Sequence, residues 1–337
     1  MSKTASFCQE LNNSTYQCHL CPHNCKLSPG QHGLCFVRYN NGETISLLSY
    51  GRTTGFAIDP IEKKPLNHFF PNSNVLSFGT IGCHLSCKFC QNWHISHCKE
   101  LSSLQTSASP EEIALLAKQN DCKSVAFTYN DPIPSLEYYL DIASNCRREG
   151  IEMVAVTAGY INPEPAKELF AVTDAVNIDL KSFNEHFYKH LTGASLTPIL
   201  QTLKYVANET DTWLEITNLV IPGENDSDQE IDAMTNWIID NLGPNIPLSF
   251  SAFHPSGKMK NHTRTSTARL LSAREIALKN GINYVYCGNI PSIETATTYC
   301  HNCKTKLIER SGYRVRVVNM ENSKCRNCHT EIPGRFV

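Results

Sequence analysis

The sequence predicts an α/β fold whose middle is built of parallel βα units, with a small cysteine-rich segment at either end. Three observations carry this. Apolar, β-branched runs alternate with amphipathic helical runs between residues 67 and 292. Each gap between strand-like runs is long enough for a crossover helix, which parallel neighbours need. The cysteines, 16 in 337 residues, group at short spacings before, at the start of, and after this segment. Units of this kind close into a full or partial TIM-like barrel or open into a doubly wound sheet. Periodicity alone does not choose between them. The texture divides the chain into a cysteine-rich, turn-rich module at 1–66, a βα core at 67–292 and a second cysteine-rich module at 293–337.

Within the core, Val75–Ile81 is an apolar strand. Ser109, Pro110 and Glu112 mark a helix start: an N-cap, a proline at the first helical position and the acid that completes a capping box. That helix reaches about Gln119. Ser124–Tyr129 reads as a strand, and Leu136–Arg148 as a helix stopped by Gly150. Met153–Thr157 is a β-branched strand, followed by a helix over Glu164–Ala171 and a strand over Ala175–Leu180. The pattern repeats with helix Ile199–Ala207, strand Trp213–Ile221, helix Ile231–Leu242 and strand Pro247–Phe253. Helix Leu270–Lys279, closed by Gly281, leads to a last strand at Asn283–Cys287. In such folds the active groups belong at the C-terminal ends of the strands.

Composition bounds the setting. The formal charge is −2, which argues neither for nor against nucleic acid, and no such partner is expected. No apolar run is long enough to span a bilayer, so no membrane is expected. Residues Met1–Gln17 are polar, with no secretory apolar stretch. Clustered cysteines in a long chain without an export signal suit metal ligation in a reducing cytoplasm rather than disulfides.

Three cysteine groups carry most of the chemistry. Cys83, Cys87 and Cys90 are spaced C-x3-C-x2-C directly after the first strand. Three thiolates in one short loop make a soft site suited to an iron–sulfur cluster, with one iron of a four-iron cubane left open. Cys300, Cys303, Cys325 and Cys328 form two C-x2-C knuckles 21 residues apart, the pattern of a zinc ribbon with a closed tetrahedral site. Gly312–Val318 reads as the first arm of a strand pair between them. Arg310, Arg314, Arg316 and Arg326 give this ribbon a basic tint that a solvated face explains. Cys18, Cys21, Cys25 and Cys35 form a third group, which suits zinc or an auxiliary cluster; the small, turn-rich module favours zinc. Cys98 is not expected to be a cluster ligand, and Cys8, Cys122, Cys146 and Cys287 read as plain thiols.

The C-x3-C-x2-C loop, with Phe89 before its last cysteine, resembles that of the radical S-adenosylmethionine (radical SAM) superfamily. Asn177–Lys181, with its Asp-Leu-Lys run, resembles pyruvate formate-lyase activating enzymes. Cys18–Cys35, Asp59–Leu66, Gly82–Trp93, Val220–Gly223 and the terminal ribbon together resemble the radical SAM enzymes of the AmmeMemoRadiSam system. The resemblance implies a partial TIM-like (β/α)6 barrel. It also implies a 4Fe–4S cluster on Cys83, Cys87 and Cys90, with S-adenosylmethionine (SAM) on the open iron.

It places Asn130 and Asp131 where relatives hold the methionine ammonium, and His254 where activating enzymes contact the adenosine. Asp179 and Lys181 share one strand face, and the resemblance turns them towards SAM or substrate. Gly159 is expected to let the backbone approach a ligand, and Trp93 and His94 to wall the SAM site. The charged run Glu62-Lys63-Lys64 is expected to be a solvated linker. Glu215 and Thr217 share a strand face of undetermined direction.

The implied reaction is reductive cleavage of SAM to a 5′-deoxyadenosyl radical, which takes hydrogen from a substrate such as a glycyl residue of a partner protein. A one-electron donor such as flavodoxin or ferredoxin is implied too. The competing functions are radical modification of a small molecule or peptide, and a zinc-ribbon binding module on an inactive barrel.

Overall fold

The computed structural model describes residues 3–98 and 106–336. Its centre is one eight-stranded sheet in which neighbours in space are neighbours in sequence. The strands are β1 (Phe56–Pro60), β2 (Asn74–Phe78), β3 (Ser124–Phe127), β4 (Glu152–Thr157), β5 (Ala175–Asp179), β6 (Trp213–Val220), β7 (Leu248–Ala252) and β8 (Val285–Gly288). Strands β2 to β8 run parallel. β1 pairs antiparallel with β2, placing Asp59 opposite Val75.

Six βα units run from β2 to β7, the number expected, and one more parallel strand follows them. Leu248 of β7 pairs with Val285, so β8 is a seventh parallel strand, and β1 adds an antiparallel one. β1 and β8 stand at opposite ends of the strand order, so the sheet is open. It still curls, because segments at or after the ends of β2 to β8 all line one cavity.

The long helices are α1 (Pro110–Gln119), α2 (Leu136–Glu149), α3 (Pro163–Phe170), α4 (Leu196–Glu209), α5 (Asp228–Leu242) and α6 (Thr267–Lys279), one in each connection from β2 to β8. Ser109 caps α1 in a full capping box with Glu112, and Gly150 ends α2 at φ 69°. The strands are buried on both faces, as Val125, Ala126 and Phe127 of β3 illustrate. That is the rule for a parallel sheet covered by its own crossovers.

The N-terminal module is fastened to the core through one buried ion pair. Arg38 reaches both oxygens of Glu137 on α2 at 2.7 and 2.8 Å, and donates to the carbonyls of Pro134 and Ser6. Both side chains are almost fully buried. The run 62–64 is no solvated linker. Lys64 is buried and donates to Asp59 at 2.8 Å; Lys63 donates to the same carboxylate, and Tyr129 adds its hydroxyl at 3.1 Å. The reason is β1: it carries Asp59 into the sheet, and Lys64 follows it in, while Lys63 reaches the same carboxylate from the surface.

The C-terminal module packs on the β8 edge, with Tyr284 and Tyr286 joining Leu307, Ile308, Met320 and Ile332 in one apolar cluster. A covered edge cannot pair with another chain. Gly312 is not in a strand arm. It turns the hairpin between β10 (Lys306–Ser311) and β11 (Arg314–Val317) at φ 58°, with β9 (Thr298–Tyr299) alongside β10. Arg310 leaves the expected solvated face: it is buried and donates to Asn67 O at 2.7 Å and Thr298 Oγ1 at 2.8 Å. Arg314, Arg316 and Arg326 do stay exposed. Among the described residues, no helix is long and apolar enough to cross a membrane.

Removing Glu137 strands a buried guanidinium. Glu137→Ala is expected to cost about 3–5 kcal/mol, read as a lowered urea midpoint. An unchanged midpoint would show that the pair does not anchor the module.

Candidate active site

The loop after β2 is held by three other strand ends. Asn130, after β3, accepts from Thr80 N at 3.0 Å and donates to Gly82 O at 2.6 Å. The segment after β5 takes two backbone bonds, Ser86 N to Thr192 O and Lys88 N to Leu191 O, both 2.8 Å. After β7, Lys258 N donates to Lys88 O at 2.6 Å. Two glycines make the closest approaches possible. A Cβ on Gly82 would lie 2.3 Å from Cys35 O, and one on Gly257 would lie 2.5 Å from Lys88 O. Both residues have positive φ, so a side chain there is excluded twice over. Phe89 is buried against Phe187, with ring centroids 5.8 Å apart.

So held, Cys83, Cys87 and Cys90 share one cavity with Asn130, Asp131, Asp179 and Lys181. The cavity measures about 1000 Å3 out to its open mouth. Burial pushes the Cys83 thiol well above its ordinary value and Cys87 up to about 12. Thiolates in such a place need a metal cation beside them. The trio does not fit a single ion. Among the described residues, one set of three or more ligand atoms of Cys, His, Asp or Glu lies within 4.8 Å of one another, and it is Cys300, Cys303, Cys325 and Cys328. Three wider-set soft ligands around a cavity match a polynuclear cluster.

The two residues expected to meet the SAM ammonium prove largely committed elsewhere. Asn130 is used by the loop. Asp131 accepts from Thr157 Oγ1 at 2.9 Å, Ala158 N at 2.8 Å and Ile133 N at 3.1 Å, with His84 Nε2 at 3.4 Å. Burial opposes its charge, yet His84 and these donors hold its carboxyl below the usual range. It braces the start of the β4 loop more than it reaches for a ligand.

Asp179 and Lys181 are the available pair. Lys181 Nζ meets Asp179 Oδ2 at 2.7 Å, with a third of the Asp179 side chain exposed. Burial opposes the Lys181 charge, but Asp179 and the Cys87 sulfur together hold its ammonium above the usual range.

The other expected residues are placed as follows. His254 does not line the cavity; the loop after β7 instead turns to deliver Gly257 to the cysteine loop. Trp93 and His94 do not line it either. Trp93 stacks on His97 with centroids 3.7 Å apart. A Cβ on Gly159 would meet Ile178 and Thr202. β6 turns Thr217 into the cavity, whereas Glu215 is buried below it, accepting from the backbone N–H groups of Asn67 and His68. Gln91, Asn92, Tyr129, Ser251 and Asn289 also line the cavity and were missed. Strand-end position was the signal for the last three; none has a residue type that stands out alone.

The C-terminal quartet has single-ion geometry. Cys300 Sγ lies 3.5 Å from Cys328 Sγ, and Cys303 Sγ lies 3.6 Å from Cys325 Sγ. Four thiolates on one tetrahedral ion with 2.3 Å bonds stand about 3.8 Å apart. The Thr305 hydroxyl, 3.3 Å from Cys303 Sγ, helps bring that thiol down to about 5.

The Radical SAM superfamily profile matches residues 78–234. An uncharacterized protein of Methanocaldococcus jannaschii is 37% identical over 98% of both chains. Pyruvate formate-lyase 1-activating enzyme of Escherichia coli K12 is 27% identical, over 53% of this chain and 74% of its own. A radical SAM methyltransferase structure from Sphaerobacter thermophilus has 14% identity and a TM-score of 0.50, covering 65% of this chain and 67% of its own, and so shares the fold.

Cys303→Ser is expected to lose the metal of this quartet in elemental analysis and to lower the melting temperature. Unchanged metal content would contradict a four-thiolate site.

Proposed function

The chain belongs to the radical SAM superfamily and is related to glycyl-radical activating enzymes, and from that premise we propose that it abstracts hydrogen from a residue of a partner protein. The observation that carries the reading is the single cavity shared by Cys83, Cys87, Cys90 and the Asp179–Lys181 pair. The three cysteines hold a 4Fe–4S cluster. When bound there with SAM, that group supplies one-electron cleavage of the sulfonium to methionine and a 5′-deoxyadenosyl radical.

The rest of the work is done by the chain itself. Asn130 fixes the backbone of the cysteine loop through Thr80 and Gly82. Asp131 fixes Thr157 and Ala158 at the cavity wall. Lys181 offers a cation to the methionine carboxylate, and Asp179 offers a carboxylate to the ammonium or the ribose hydroxyls. Leu85, Phe89, Val156 and Leu219 line the same cavity and keep water from the reacting atoms. The open mouth lets a segment of a second chain reach the floor. The electron comes from a carrier protein of the flavodoxin or ferredoxin class, and zinc occupies the Cys300–Cys328 quartet.

The reduced enzyme with SAM and a candidate glycyl-radical partner is expected to give an organic radical by electron spin resonance. A new covalent product on a small molecule or peptide, with no persistent protein radical, would overturn the partner-protein reading. Asp179→Asn is expected to weaken SAM binding about tenfold or more, the worth of one charged hydrogen bond, in equilibrium dialysis. Unchanged affinity would remove Asp179 from the site.

A further inference from the structure

The chain holds two groups of four cysteines, and their geometries differ. The C-terminal sulfurs are drawn together, as one ion requires. Cys18, Cys21, Cys25 and Cys35 instead ring a separate, small cavity. No three of their sulfurs gather within the 4.8 Å that the other quartet satisfies. A tetrahedral zinc site would bring all four to about 3.8 Å. The spread therefore counts against zinc, which the sequence favours, and suits a core of several metal atoms with four cysteine ligands.

Two further groups face the same cavity. Arg38 is 1% exposed and lines it. Its Nη1 lies 3.9 Å from Cys18 Sγ, a buried cation beside a ligand sulfur. His84 is 3% exposed and lines it too. His84 Nε2 faces Asp131 Oδ2 at 3.4 Å, the pair described in the active site, while Nδ1 has no hydrogen-bond partner. A buried ring nitrogen left unpartnered beside a ring of thiols calls for a partner in the cavity. Bridging sulfides and thiolates of a cluster are such partners.

The cavity also abuts the active site. Cys83 lines one and His84, the next residue, lines the other. Cys35 O lies where a Cβ on Gly82 would be 2.3 Å away, so the two cysteine loops touch.

We propose that Cys18, Cys21, Cys25 and Cys35 hold a second, polynuclear iron–sulfur cluster, separated from the active-site cavity by the Cys83–His84 wall. The reading does not rest on the partner-protein assignment, since iron content is independent of substrate.

The test is iron, sulfide and zinc analysis after anaerobic reconstitution. Wild-type protein is expected to hold well over four irons per chain, about eight if both clusters are cubanes. Cys83→Ala/Cys87→Ala/Cys90→Ala is expected to keep iron and sulfide in equal amounts, with a reduced-cluster resonance of its own. Cys18→Ala/Cys21→Ala is expected to lose that iron and resonance. Cys8→Ala is expected to keep both, because Cys8, although its Sγ is 3.9 Å from Arg38 Nη1, stands outside the cavity lining. About four irons in the wild type, all lost from the triple variant, with zinc at both quartets, would overturn the proposal. The wild-type count decides even where a variant fails to fold. A wild-type chain with about four irons would leave the active-site assignment standing.

Discussion

The site depends on a steric constraint: the cysteine loop can lie where it does only because Gly82 and Gly257 have no side chains. One faces Cys35 O and the other faces Lys88 O, each nearer than any Cβ could tolerate. Those contacts wedge the loop between the N-terminal module and the turn after β7. Hydrogen bonds from the ends of β3 and β5 complete the clamp. A loop held from four directions presents its three thiols to the cavity with little freedom left, which is the preorganisation a cluster site needs.

Around this loop the two small modules are joined to the sheet by buried charge rather than by apolar area alone. Arg38 pairs with Glu137 at one end, and Arg310 reaches Asn67 O and Thr298 at the other. Lys64 and Asp59 close the antiparallel edge. A buried guanidinium adds little net stability over a well-packed apolar group, but it tolerates no misplacement. It therefore fixes where a module sits. For the N-terminal module that position matters, because it brings Cys35 against Gly82 and His84 to the wall between two cysteine-lined cavities.

Much of the fold was legible in the chain. Strong periodicity and clear stops, such as the Ser109–Glu112 box and Gly150, place the helices and strands to within a few residues. Short-range spacing also marks which cysteines belong together. What escaped is long-range. Nothing local says that Asp59 enters a sheet edge and drags Lys64 inside. Nothing local says that Arg310 turns inward to Asn67, 243 positions earlier in the chain. The family resemblance suggested Asp131 as a ligand for an ammonium, but its partners Thr157 and Ala158 come from the next strand end. His254 follows β7 as expected, yet the turn spends itself on seating Gly257. In each case a tertiary contact decided what a side chain does.

The most direct test of the central claim is the fate of SAM on the reduced protein. Anaerobically reconstituted chain, treated with dithionite and SAM, should yield 5′-deoxyadenosine and methionine in equal amounts, and Cys87→Ala should yield neither. SAM left intact by the iron-loaded wild type, or cleaved equally well by Cys87→Ala, would contradict the assignment of Cys83, Cys87 and Cys90 as the reacting centre.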